Sequence, residues 1–192
     1  MAYVTYTTKA LVCGTFDRNT ADRSYLLFTR EAGMLYADAR SVREERSRQR
    51  YALQDFSFIR VSLIKGKRGW KVGSIESQKN YYHTAVDKDA RGSVVSLFRL
   101  LRRFVKGEEA APELFDYVTA AFDELSGKVD ERPFVLLTVQ VYVLAVLGYV
   151  DKKVFPESIW SIQPSYIAGQ YSEVIEKQIN NLYTHAVSMS HL

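Results

Sequence analysis

Over residues 1–80, apolar and polar positions alternate on a short period. The stretches 9–16, 25–29, 34–39, 56–65 and 70–77 are brief, aliphatic or aromatic, and separated by turn residues, so the pattern predicts five strands. In the fourth, Ile59, Val61 and Leu63 alternate with Arg60 and Ser62, the two-residue period of a half-buried strand. The run Lys65-Gly66-Lys67-Arg68-Gly69 reads as a Gly-rich hairpin turn with three charges at its tip, and residues 17–22 as a polar turn between the first two strands. Five short strands with a basic loop between the third and fourth fit a small closed barrel of the OB type.

After residue 80 the period changes to that of helices. Val94, Val95, Leu97, Phe98, Leu101 and Val105 follow a 3.6-residue stripe that Gly107 ends. Pro112 opens a second helix over 113–125, with Leu114, Phe115, Val118, Phe122 and Leu125 on one side. Pro133 starts a third, strongly apolar one that stops at the Leu147-Gly148-Tyr149 turn, where glycine is a usual terminator. An irregular stretch with Pro156 and Pro164 precedes a last helix over about 171–187. The expected fold is therefore α+β: a five-stranded OB-type β-barrel over residues 1–80, then an α-helical domain over residues 81–192 built around the third helix.

Composition narrows the class. Of 192 residues 47% are hydrophobic and 25% charged, which excludes a wholly disordered chain. The single Cys13 excludes a disulfide framework and any multi-thiolate zinc site. His83, His185 and His191 are scattered, so no metal or other cofactor is expected. Residues 1–10 lack an apolar signal core. The longest apolar stretch, residues 134–150, is broken by Thr138, Gln140 and Gly148, so a cytoplasmic protein without a membrane span is expected.

Charge changes the picture more. The net +4 divides into +7 over residues 1–80 and −3 over residues 81–192. Between Arg40 and Lys71 ten basic residues face three acidic ones. A polyanion-binding surface and a solvated basic face both fit that composition. Catalytic constellations are missing: there is no Gly-x-x-x-x-Gly-Lys-Ser/Thr phosphate loop and no Gly-x-Ser-x-Gly elbow. Cys13 lies within a strand pattern, where a buried inert thiol fits better than a nucleophile. Asp17 and Asp22 share a turn and resemble a metal-dependent nuclease pair, but turn chemistry accounts for them more simply. A non-enzyme is expected.

Several segments, in order, resemble the RecO family of bacterial recombination mediators. They are Ala21-Asp22-Arg23, Leu27-Phe28-Thr29-Arg30-Glu31 with Gly33, Ala39-Arg40, the Arg43…Arg46-Ser47-Arg48 loop, and Leu53-Gln54 with Phe56. Pro112-Glu113-Leu114-Phe115 and Leu147-Gly148-Tyr149 continue the resemblance to about residue 150. Many relatives carry a four-cysteine zinc module after the last of these turns; this chain has no cysteine beyond Cys13 and resembles a short form without it. Asp55 stands where the family has a proline, and Glu44 and Glu45 where it often has basic or neutral residues.

The resemblance implies a non-catalytic protein of DNA repair that binds single- and double-stranded DNA, anneals complementary strands and helps load recombinase, in the cytoplasm at the nucleoid. It implies as partners the C-terminal tail of single-stranded-DNA-binding protein, and RecR. The residues expected to carry nucleic-acid binding are Arg40, Arg43, Arg46, Arg48 and Arg50 in the basic loop, with Lys65, Lys67, Arg68 and Lys71 at the hairpin. Tyr36, Tyr51 and Trp70 are candidates for stacking on bases, against the competing role of packing on the barrel. An acidic, hydrophobic tail needs a cation beside an apolar wall, and Arg99, Arg102 and Arg103 are the densest cluster in the helical half. An OB module for RNA or another oligonucleotide, and a partner-binding adaptor, remain open alternatives.

Overall fold

A computed structural model describes residues 5–47, 49–154, 157–160 and 162–190. Five strands, β1 (Thr5–Asp17), β2 (Arg23–Thr29), β3 (Gly33–Ala39), β4 (Ser57–Gly66) and β5 (Gly69–Asn80), close into a barrel in the order β1-β2-β3-β5-β4. All pairings are antiparallel except β3 with β5, where Ala37 faces Trp70 and Asp38 faces Lys71. This is the five-stranded Greek-key barrel that the sequence pattern predicts. A one-turn helix, α1 (Gln49–Ala52), interrupts the long β3–β4 loop, and a second, α2 (Tyr81–Thr84), follows β5 directly.

Burial explains the strand pattern. Ile59, Val61 and Leu63 of β4 point inward with no exposure and meet Ala10, Val12, Tyr25, Leu27, Leu35 and Ala37 in the barrel core. Val42 and Leu53, from the β3–β4 loop, plug the same core. β2 does not alternate: Tyr25 to Thr29 are buried without a break. On its outward side Phe28 is covered by a later piece of chain: the Phe115 ring lies 5.3 Å from Phe28 and 6.3 Å from Phe58 of β4.

The chain divides into two compact units, one of residues 1–84 with Val105–Phe115, the other of Ala85–Phe104 with residues 116–192. The segment 105–115 thus straps the barrel, although it follows the first long helix in sequence. Gly33 makes this possible: its φ is +65°, and a Cβ there would stand 2.3 Å from the Glu109 carbonyl oxygen. Next to it, the Met34 N–H donates to the Gly107 carbonyl at 2.9 Å.

The second unit is helical. α3 (Lys88–Phe104) buries Val94, Leu97, Phe98 and Leu101 along one stripe. α4 (Pro112–Ser126) begins in the strap and contributes Phe122, whose ring is 4.4 Å from Phe98. α5 (Arg132–Val146) is buried on almost every side, from Phe134 and Val135 to Leu144 and Ala145. Pro133 occupies its first turn. At its other end Gly148, at φ +84°, reverses the chain while Tyr149 N–H bonds the Leu144 carbonyl and Gly148 N–H that of Ala145. This is a Schellman closure, the stop that the Leu-Gly-Tyr turn predicts. After the short α6 (Glu157–Trp160), α7 (Glu173–Met189) starts at Ser172, whose hydroxyl accepts the Ile175 N–H. No helix among the described residues is long and apolar enough to cross a membrane.

Candidate nucleic-acid interface

The β1–β2 turn (residues 18–22) is organised by two short polar side chains. Asn19 Oδ1 accepts the N–H groups of Ala21 and Asp22 at 2.8 and 2.7 Å, an Asx-type turn. Asp22 accepts the Ser41 N–H at 2.8 Å and the Asn19 amide at 2.9 Å. These two hydrogen bonds, with Arg40 and Arg18 nearby, hold the Asp22 carboxyl below its ordinary value. Asp17 is lowered likewise, chiefly by the Arg23 guanidinium 2.8 Å away and secondarily by Arg43. Both carboxylates of the turn are therefore engaged in holding loops together.

Arg43 completes this wiring. Its backbone N–H donates to Ala21 and its side chain to the Asn19 carbonyl at 2.8 Å, with Asp17 at 3.5 Å. The β3–β4 loop, which carries most of the arginines singled out from sequence, is thus tied down onto the β1–β2 turn.

Beside that turn lies a groove of about 170 Å³ lined by Arg18, Asp22, Asp38, Arg40, Arg68, Gly69, Trp70 and Lys71. Its walls are the β1–β2 turn, the end of β3 and the β4–β5 hairpin. Arg18 pairs with Asp38 and Asp22 is occupied by its own turn, so the groove keeps an excess of positive charge. In OB barrels this face, with these two loops, takes oligonucleotides. Arg40, Arg68 and Lys71 converge here. Arg18 was missed by sequence reasoning, which saw only a polar turn; its place beside Asp38 depends on the β2–β3 register.

The other expected residues are dispersed. Lys67 stands exposed at the hairpin tip, and Arg46 is exposed in the loop. Lys65 faces the Glu108 carboxylate at 3.2 Å and lies 4.8 Å from the centroid of the Trp70 ring. Arg48 lies outside the described residues. Arg50 sits against the Tyr51 ring, 4.9 Å from its centroid, in a second and wider cleft. Tyr36 and Tyr51 are 59% and 64% exposed, whereas Trp70 packs partly into the barrel core.

In the helical unit Arg99 and Arg102 are exposed on α3. Arg103 is partly buried and donates to the Ser190 hydroxyl and carbonyl at 3.1 and 3.3 Å, holding the end of α7. Phe98 and Leu101 beside them are core side chains with at most 1% exposure.

The family described as "Recombination protein O N terminal" matches residues 1–79, the barrel, and "Recombination protein O C terminal" matches residues 87–150. The chain belongs to the RecO family. It is 32% identical over 110 residues to the "DNA repair protein RecO" of Desulfitobacterium hafniense, covering 57% of this chain and 40% of the relative. It is 26% identical over 148 residues to that of Myxococcus xanthus, covering 77% and 60%, and 24% identical over 144 residues to that of Clostridium novyi, covering 75% and 56%. The chain therefore spans less than two thirds of the length of these RecO relatives. The match to the C-terminal family ends at residue 150, so α7 and the Ser190 contact of Arg103 lie beyond it.

Proposed function

We propose that this chain is a RecO-type, non-catalytic DNA-binding protein of recombinational repair. It binds single- and double-stranded DNA, anneals complementary strands and assists recombinase loading. The observation that carries this reading is the convergence of Arg18, Arg40, Arg68 and Lys71 on the groove between the β1–β2 turn and the β4–β5 hairpin. Cations fixed on that face displace condensed counterions from phosphates, giving sequence-independent, salt-sensitive affinity. Covering the charge of two strands also lowers their mutual repulsion, the barrier to annealing.

Partner binding belongs to the same reading. Arg99 and Arg102 are the cations offered to the acidic tail of single-stranded-DNA-binding protein, with Arg103, also on α3, beside them and bonded to Ser190 at the end of α7, and RecR is the second expected partner. The place of action is the nucleoid.

The test is a salt titration of binding to single- and double-stranded DNA, with an annealing assay beside it. Log affinity falling linearly with log salt, together with accelerated annealing, supports the reading. Failure to retard any DNA at low salt refutes it, and preference for RNA of the same sequence moves it to an RNA-binding OB protein.

A further inference from the structure

The wider cleft of the barrel unit has a different chemistry from the groove. It has a volume of about 840 Å³ and is walled by Phe16 at the end of β1 and by Arg50, Tyr51 and Gln54 of the α1 region. That is within the ~300–1,000 Å³ range of ligand sites. On its charged floor Arg23 is taken up by Asp17 at 2.8 Å, and the Asp55 carboxylate, which accepts the Thr15 hydroxyl at 2.6 Å, keeps its negative charge. Such a floor offers little to a phosphate. The walls offer flat π surface, since Tyr51 is 64% and Phe16 39% exposed. The Arg50 guanidinium, resting 4.9 Å from the Tyr51 ring centroid, stiffens that platform. The Gln54 side-chain amide stands exposed beside them and makes no hydrogen bond with another described residue.

The position of the cleft supplies the second argument. Asp17 and Arg23, which flank the β1–β2 turn, face the cleft, while Arg18 and Asp22 within the turn face the cationic groove. One turn therefore separates a phosphate-attracting site from an aromatic one. The exposed Arg43 is fixed on that turn by Asn19.

We propose that the Phe16–Tyr51 cleft holds an unpaired nucleobase of a single strand whose phosphates run through the neighbouring groove, with Gln54 at the base edge. This rests on the DNA-binding reading and deepens it. Duplex DNA, whose bases are stacked and paired, reaches the groove but leaves the cleft empty. The cleft therefore makes the protein prefer single strands without adding phosphate contacts.

The probes are oligo(dT) of about 20 nucleotides, longer than the footprint of one OB barrel, and an abasic oligomer with the same number of phosphates. The full chain should bind oligo(dT) about 5- to 140-fold more tightly than the abasic oligomer, the effect of stacking one base. Tyr51→Ala should abolish most of that preference while leaving the salt slope unchanged, and Tyr51→Trp should keep it. Equal wild-type affinity for the two probes, or an undiminished preference in both Tyr51→Ala and Phe16→Ala, overturns the cleft assignment and leaves the groove standing. Binding of neither probe at low salt overturns both.

Discussion

The Lys65 ammonium stands 3.2 Å from the Glu108 carboxylate, so a cation of the β4–β5 hairpin is neutralised by the strap that returns after α3. Both side chains are about half exposed, and such pairs add little to stability. The effect falls on binding instead. Glu108→Gln should free Lys65 for a phosphate and steepen the log–log salt dependence by about 0.7 for single strands or 0.9 for duplex. An unchanged slope would mean that Lys65 does not face the DNA.

Arg43 and Arg68 are both exposed arginines near the groove, yet they should fail differently. Arg68 lines the groove, and no ion pair ties it down among the described residues. Arg68→Ala should flatten the salt slope by one phosphate contact, as should Arg40→Ala and Lys71→Ala, without changing the unfolding midpoint. Arg43 joins two loops through Asn19 and Asp17, so Arg43→Ala should also cost about 0.5–1.5 kcal/mol in a urea titration, the net worth of a hydrogen bond. Equal losses of stability in the two variants would remove the distinction.

These differences show where sequence reading stops. The alternation of Ile59, Val61 and Leu63, the Pro133 start and the Gly148 stop were legible because each is a local signal whose physics acts within a few residues. The unbroken burial of β2 was not, because Phe115, which covers Phe28 on its outer face, arrives from far along the chain. The basic loop was legible as charge, but the uses of its arginines depend on contacts across the fold: Arg43 on Asn19, Arg18 on Asp38, Arg103 on Ser190. Phe16 and Tyr51, 35 positions apart in sequence, border one cleft only in the folded barrel.

Gly33 should be irreplaceable. Its φ of +65° disfavours any side chain, and an added Cβ would press on the backbone of Glu109 and Gly107. Backbone cannot step aside as a flexible side chain does. Gly33→Ala should therefore destabilise the protein by at least about 2 kcal/mol and expose the Gly107-bonded amide of Met34 to hydrogen exchange. A near-neutral variant would show that the strap is held loosely.

Acid should open the loop staple at the β1–β2 turn. The carboxyls of Asp17 and Asp22 titrate below their ordinary value because Arg23 and Asn19, respectively, hydrogen-bond the ionised forms most strongly. A depressed native value means that the stabilisation is fully present above the unfolded value of about 3.9 and is lost as pH falls through the native one. Hydrogen exchange at the Ser41 amide, which donates to Asp22, should stay slow at pH 5 and accelerate below about pH 4 once the intrinsic pH dependence is removed. Protection that is constant down to pH 2 would contradict this.

Arg102 and Arg103 should separate partner binding from architecture. Arg102 is exposed on α3, whereas Arg103 donates two hydrogen bonds to Ser190 at the last turn of α7. Arg102→Glu should weaken binding of an acidic tail peptide in calorimetry while leaving DNA affinity near wild type. Arg103→Glu places a carboxylate against the carbonyl end of α7, where the helix dipole is already negative, and should loosen that helix end. Hydrogen exchange at residues 186–190 should rise in Arg103→Glu and not in Arg102→Glu. Unchanged peptide affinity in Arg102→Glu would remove this part of α3 from the partner site. Unchanged exchange in Arg103→Glu would mean that the Ser190 contact does not restrain α7.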